Sequence, residues 1–260
     1  MKIVVKVGTS TLAHSGGHLN IRRVEKLCKV LSDIKNAGHQ VILVSSGAIG
    51  MGVGKLNLPG RPTDIPTKQA AAAVGQCELM YTYDKLFSEY NHNVAQILLT
   101  ADDVKNEERN LHFINTLNRL LELGALPVIN ENDTVSTAEF GIGDNDNLSA
   151  IVAVSAQADL LVLLSDIDGL YTADPHKNKD AKLIPQVYDI DDSVMNLAAG
   201  KGSELGTGGM VTKLTAAKLC TEAGCDMIIA NGDDPDVLYS IMDGESVGTR
   251  FFAKNLPKGK

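Results

Sequence analysis

Ile3-Val4-Val5-Lys6-Val7 and Gln40-Val41-Ile42-Leu43-Val44-Ser45 are two short apolar runs, and between them Ile21, Val24, Leu27, Leu31 and Ile34 recur at helical spacing. A strand, a helix and a second strand in that order make a βαβ unit, whose strands lie parallel with the helix covering one face. Asn20 stands where a helix N-cap belongs and Gly38 follows the last apolar position, so both helix ends are marked. The same alternation continues outward. Runs at 93–99, 126–130, 159–165 and 226–230 read as strands, and 67–90, 111–123, 147–156 and 210–223 as helices. The expectation is an α/β protein, an αβα sandwich around a mostly parallel central sheet. No repeat of solenoid period interrupts it.

The chain has 260 residues, 44% of them hydrophobic, enough to bury one large domain or two packed lobes. Its net charge is −8 and no block of Lys or Arg occurs, which argues against a nucleic-acid or membrane-surface partner. The sequence enters an apolar strand directly from Met1, without the features of a signal peptide, and has no apolar run of spanning length. Cys28, Cys77, Cys220 and Cys225 show no CxxC spacing and read as reduced, buried thiols of a cytoplasmic protein. The histidines show no metal-ligand spacing. The stretch 171–185, rich in Pro and charge, reads as a small hairpin or flap, and the polar tail from Lys254 as frayed.

The chemistry-bearing residues gather at strand ends. β-Strand residue Lys6 is followed by Gly8-Thr9-Ser10; a lysine in an apolar strand either meets an anion or snorkels from a sheet edge. Ser45-Ser46-Gly47-Ala48-Ile49-Gly50 leads from a strand towards a helix, the geometry of an anion site or of a plain tight turn. Asn130-Glu131-Asn132-Asp133 and Gly141-Ile142-Gly143-Asp144-Asn145-Asp146-Asn147 crowd carboxylates and carboxamides where open α/β sheets bind ligands. Asp146 or Asn147 is also a candidate N-cap. Ser165-Asp166 ends a further strand, with spacing beyond it unlike an EF-hand loop. Thr207-Gly208-Gly209-Met210-Val211-Thr212-Lys213 opens a helix with a lysine in its first turn, where the dipole opposes a cation by about 0.3–1 kcal/mol unless an anion shares the site. Alone, it reads first as a flexible Gly loop capped by Thr207 with a solvated Lys213.

Taken in order, VKVGTS, SSGAIG, INENDTV, GDNDNLSA, GLYTADP and GTGGMVTK resemble the glutamate 5-kinase branch of the amino acid kinase family, from Lys2 to about Phe252. The resemblance implies one kinase domain over 1–253, with a substrate lobe at about 1–158, a nucleotide lobe at about 159–253 and a tail at 254–260. It implies that Ser46, Gly47, Asp133 and Asn145 bind L-glutamate. It implies that Lys6, Gly8, Ser165, Asp166, Thr207, Gly208, Gly209, Met210, Val211, Thr212 and Lys213 bind ATP. Lys6 and Lys213 would stabilise the transferred phosphoryl group, with Asp146 orienting them. Position 165 is often threonine in such kinases, and serine keeps the hydroxyl. ATP and Mg2+ are the implied cofactors; no protein ligand for the metal is identified.

The resemblance further implies a homo-oligomer (dimer or tetramer), feedback by proline, and coupling to glutamyl phosphate reductase. Many bacterial members carry a C-terminal PUA domain that this sequence stops short of, which removes the basis for an RNA contact. Two other readings stand beside this one. One is a kinase of the same fold acting on N-acetylglutamate, aspartate, carbamate or UMP. The other is a non-catalytic amino-acid sensor, which would have no use for two lysines matched to a transition state. Asp133 favours a free ammonium over an acylated amine.

Overall fold

Residues Ile3 to Val7 are all buried, so the strand they form, β1 (Lys2–Val7), is covered on both faces and lies inside the sheet. The structure, a computed structural model, describes residues 1–14, 18–135, 145–175, 177–198 and 209–254. After β1 come α1 (Thr9–Leu12), α2 (Ile21–Asn36), β2 (Gln40–Ser45), α3 (Ala48–Lys55), α4 (Ile65–Ser88), β3 (Val94–Leu99), α5 (Ala101–Lys105), α6 (Glu107–Glu122) and β4 (Leu126–Glu131). The second half holds α7 (Asn145–Ser155), β5 (Leu160–Ser165), β6 (Gln186–Val187), α8 (Asp192–Ala198), α9 (Gly209–Glu222), β7 (Asp226–Asn231), α10 (Val237–Met242) and β8 (Thr249–Phe251).

Among the described residues the strands form one sheet in the order β3-β4-β2-β1-β5-β7-β8-β6. Pairing is parallel except between β7 and β8. From β1 the chain builds outward through β2, then returns at β5 to β1's other edge. The carboxyl end of β1 is therefore a topological switch point, the place where open α/β sheets bind ligands.

Side chains alternate across β1. Ile3, Val5 and Val7 join the core beneath α2 and α4 with Leu27, Leu31, Leu79 and Tyr83. Val4 joins the opposite core beneath α7 and α9 with Leu148, Val152, Leu214 and Ala217. Lys6 has the parity of Val4, so it points at α7 and α9. The edge-strand alternative for Lys6 fails because β1 is hydrogen-bonded on both sides.

Local signals account for the helix ends. Asn20 accepts a hydrogen bond from the Arg23 amide, and Gly38 adopts φ 93° just past the helix. Asp64 accepts from the Thr67 amide at 2.9 Å and Asn106 from Arg109 at 3.0 Å, moving the starts of α4 and α6 earlier than the apolar pattern alone indicates. In the stretch 171–185 Tyr171 bridges Leu183, and the Thr172 amide donates to the Lys182 carbonyl, which is the expected hairpin. The tail beyond Lys254 lies outside the described residues. Cys28, Cys220 and Cys225 are buried as expected, but Cys77 lies on the solvent side of α4.

Helices α3 and α4 touch backbone to backbone. A Cβ on Gly75 would overlap the Ala48 carbonyl, and one on Gly52 the Ala71 carbonyl, so only glycine allows this approach. It presses α4 against the turn that opens α3.

Candidate active site

Three elements converge on one carboxylate. Lys6 from β1 reaches Asp146 Oδ1 at 2.6 Å, and Lys213 from the first turn of α9 reaches Asp146 Oδ2 at 2.9 Å. Thr212 donates to the same Oδ2 at 3.3 Å. Asp146 is 0% exposed, Lys6 6% and Lys213 7%. Burial alone would raise the Asp146 pKa, but the adjacent Lys6 and Lys213 outweigh it and hold the carboxyl below its usual range, so it is ionised. Two buried ammonium groups thus meet on one carboxylate at the switch point, within a chain of net charge −8.

This arrangement revises two expectations. Asp146 and Asn147 lie inside α7, which begins at Asn145, so neither is its N-cap. The cation at the head of α9 already has an anion, Asp146, and Lys213 also donates to the Gly209 carbonyl at 3.3 Å; it is not solvated. Asp146 in turn sits in the first turn of α7, where the helix dipole favours a carboxylate.

On the β2–β4 side a carboxamide network lies under the turn into α3. Gly47 has φ 105°, a left-handed conformation that favours glycine. Asn145 Nδ2 donates to Ser46 Oγ at 2.8 Å, to Asn130 Oδ1 at 2.9 Å and to the Ser45 carbonyl at 3.2 Å. Asn130 Nδ2 donates to Gln76 Oε1 at 2.9 Å. Ser45 Oγ pairs with the buried Tyr83 hydroxyl at 2.8 Å. Beyond Asn130, the Asp133 carboxyl is pushed up to about 6, chiefly by burial and secondarily by Glu131, with Arg61 acting the other way. A carboxylate so placed gains most from an incoming cation.

The β5–β7 side carries the other expected group. Ser165 Oγ donates to Asp166 Oδ1 at 3.1 Å, and the Gly232 amide donates to the Ser165 carbonyl at 2.7 Å. Asp168 accepts from Asn231 at 2.8 Å and from the Tyr171 hydroxyl at 2.8 Å, bonds that lower its pKa. At β1, a Cβ on Gly8 would stand 3.8 Å from Lys6 Nζ, so glycine leaves the approach to that ammonium open. Gly209 and Val211 are exposed at the head of α9, and Met210 packs partly into the core. Thr207 and Gly208 lie outside the described residues, as do Gly141 to Asp144. Among the described residues there is no cluster of three or more His, Cys, Asp or Glu side chains suited to a metal ion. Nor is any described helix long and apolar enough to cross a membrane.

The family model described as "Amino acid kinase family" matches residues 1–231. The chain belongs to the amino acid kinase family. Among its members, the chain is 54% identical to the glutamate 5-kinase of Clostridium perfringens, over 97% of this chain and 96% of that protein. It is 52% identical to the glutamate 5-kinase of Listeria innocua, over 97% and 93%. The carbamate kinase from Giardia lamblia bound to AMP-PNP superposes with a TM-score of 0.69 at 16% identity, over 97% of this chain and 98% of that one, which establishes the common family fold.

The sequence did not single out Gln76, Tyr83 and Asn231, which the structure brings into hydrogen-bond contact with Asn130, Ser45 and Asp168. A signal existed for the first: Gln76 stands on the α4 stripe of Ala72, Leu79 and Tyr83, a carboxamide where the helix is otherwise apolar. Tyr83 and Asn231 carried no such signal, because their partners Ser45 and Asp168 are distant in sequence.

Proposed function

We propose that the chain is a glutamate 5-kinase, transferring the γ-phosphoryl group of ATP to the γ-carboxylate of L-glutamate to give L-glutamyl 5-phosphate and ADP, the first step of proline biosynthesis. The observation that carries this reading is the pair of lysines held on buried Asp146, beside a carboxylate and carboxamides suited to an amino acid. The relatives' names support the same substrate.

A γ-carboxylate is ionised at neutral pH and is already a nucleophile, so no side chain has to remove a proton. The obstacle is repulsion between carboxylate and polyphosphate. Lys6 and Lys213 supply fixed positive charge where negative charge accumulates on the transferred group, and Asp146 holds both ammonium groups in register. Mg2+ bound on the polyphosphate would neutralise further charge there; no protein ligand is assigned to it. Gly8, Gly47, Gly208 and Gly209 would add backbone donors. Ser165, Asp166, and residues Thr207 to Thr212 complete the nucleotide side, in the lobe of about 159–253.

Ser46, Gly47, Asp133 and Asn145 hold glutamate in the lobe of about 1–158. Asp133 would take its ammonium, which an N-acylated acid lacks. The enzyme acts in the cytoplasm as a dimer or tetramer, and hands its labile acyl phosphate to glutamyl phosphate reductase. Proline, small enough to share the glutamate site, is a feedback inhibitor; a glutamate titration unchanged by added proline would remove that part.

The test is ATP- and Mg2+-dependent acyl-phosphate formation, trapped as the hydroxamate with hydroxylamine, on glutamate, N-acetylglutamate and aspartate. Product from glutamate alone is expected. Product from another acid overturns the roles of Asp133 and Asn145, and product from none overturns the kinase assignment.

A further inference from the structure

Gln76 is 7% exposed, and its Nε2 has no hydrogen-bond partner. An unpaired buried donor is destabilising, because its lost hydration is not repaid. Its cause can be traced through the carboxamides. The Glu131 backbone amide donates to Asn130 Oδ1 at 2.9 Å, and a backbone N–H can only donate, so that end of Asn130 must be the oxygen. Asn130 Nδ2 then faces Gln76 and can only donate, which forces Gln76 to present Oε1 and turns its own NH2 away. At the other end the Ser45 carbonyl can only accept, so Asn145 must present Nδ2 to it and to Asn130 Oδ1. Backbone groups thus fix the polarity of all three carboxamides. The backbone that carries Gln76 is held in place, because neighbouring Gly75 is pressed against the Ala48 carbonyl.

With its nitrogen consumed by three acceptors, Asn145 is left with Oδ1, which receives no hydrogen bond among the described residues. We propose that Gln76 is a positioning residue for the acid substrate: through Asn130 it locks Asn145 so that a carbonyl oxygen, and not an NH2, is offered to a free substrate ammonium beside Asp133. This assignment deepens the glutamate reading and rests on it. It also explains why a buried glutamine is kept with one donor unpaired: the acceptor on its other side is what the site uses.

The test compares Gln76→Met, which removes the acceptor at similar volume, with Gln76→Glu, which keeps an oxygen facing Asn130. In the hydroxamate assay Gln76→Met is expected to raise KM for glutamate by about ten- to hundredfold, the worth of one hydrogen bond to a charged group. KM for ATP should move by less than about twofold, as expected for a site distant from the nucleotide. Gln76→Glu should retain most of the glutamate affinity. In parallel, selectively 15N-labelled asparagine reports the side-chain NH2 protons of Asn130 and Asn145. Their exchange protection is expected in the parent and in Gln76→Glu and lost in Gln76→Met. Unchanged protection in Gln76→Met overturns the relay whatever the substrate, as does an equal KM rise in both variants. Lost protection with no glutamate product from the parent keeps the relay and refutes the glutamate reading.

Discussion

Replacing Asp146 by Asn removes a carboxylate on which two buried ammonium groups meet, and its consequences can be worked from the geometry. Both contacts are under 3 Å, at 2.6 and 2.9 Å, on a side chain with no solvent exposure. Removing one partner of a buried ion pair typically costs about 3–5 kcal/mol, because the remaining charge stays buried and uncompensated. At about 2–4 °C per kcal/mol for a chain of this size, the melting temperature should fall by roughly 6–20 °C. Bound nucleotide brings its own anions to Lys6 and Lys213, so ATP should raise the variant's melting temperature by more than it raises the parent's. Turnover should fall by about 10²–10³, the scale of losing an ordered electrostatic element of the transition state. Acid dependence follows with a definite sign. The folded Asp146 carboxyl titrates below its ordinary value, so the pair's stabilisation is full above about pH 4 and is lost as pH falls below it. The variant should lack that component of acid unfolding. Calorimetry with and without ATP, together with hydroxamate turnover, reads all of this. A melting temperature within about 2 °C of the parent, or turnover within about threefold, would refute the claim that Asp146 holds the lysines.

Three further expectations are cheaper to check. Lys6→Ala and Lys213→Ala should each lower kcat by about 10²–10³ while changing KM for ATP far less, since their partner charge is greatest in the transition state; near-normal turnover in either variant removes that residue from the mechanism. Asp133 titrates near 6 in the free protein, so KM for glutamate should rise as pH drops through 6, by up to about tenfold per unit once the acid form dominates, and Asp133→Asn should flatten that limb. Gly75→Ala should destabilise the fold by at least about 1–3 kcal/mol, because α3 and α4 must separate, and should raise KM for glutamate by displacing the Ser46–Gly47 turn; unchanged stability would contradict the backbone contact described.

Much of this architecture was legible from period and punctuation. The apolar runs at 3–7 and 40–45 became adjacent parallel strands, paired from Lys2↔Gln40 to Val7↔Ser45, because buried strands announce themselves by unbroken hydrophobicity. A helix was expected to follow Ser45–Gly47, but the extent of α3 was not legible: Gly50, Gly52 and Gly54 weaken its intrinsic propensity, and it packs closely on α4. β6 and β8, two and three residues long, carry too little sequence for a period to show. At the site, Lys6 was marked as anomalous by its apolar neighbours, and Asp146 and Lys213 by motif. The resemblance implied that Asp146 orients both lysines, but not the geometry, in which Asp146 takes one ammonium on each oxygen and supplies the anion at the head of α9. The carboxamide relay was the hardest part to see, since its polarity is dictated by the backbone of Glu131 and Ser45, whose direction no side-chain pattern encodes.

The central claim is that a γ-carboxylate oxygen of glutamate attacks the terminal phosphorus of ATP, positioned by Lys6, Lys213 and Asp146 without a general base. Glutamate carrying 18O in both γ-carboxylate oxygens, incubated with the protein, ATP, Mg2+ and hydroxylamine, tests it directly. Hydroxylamine displaces phosphate from the acyl carbon, so the bridging oxygen leaves with phosphorus. The account predicts inorganic phosphate bearing one 18O atom in step with hydroxamate. Phosphate free of 18O would mean that water is the nucleophile, and would contradict it.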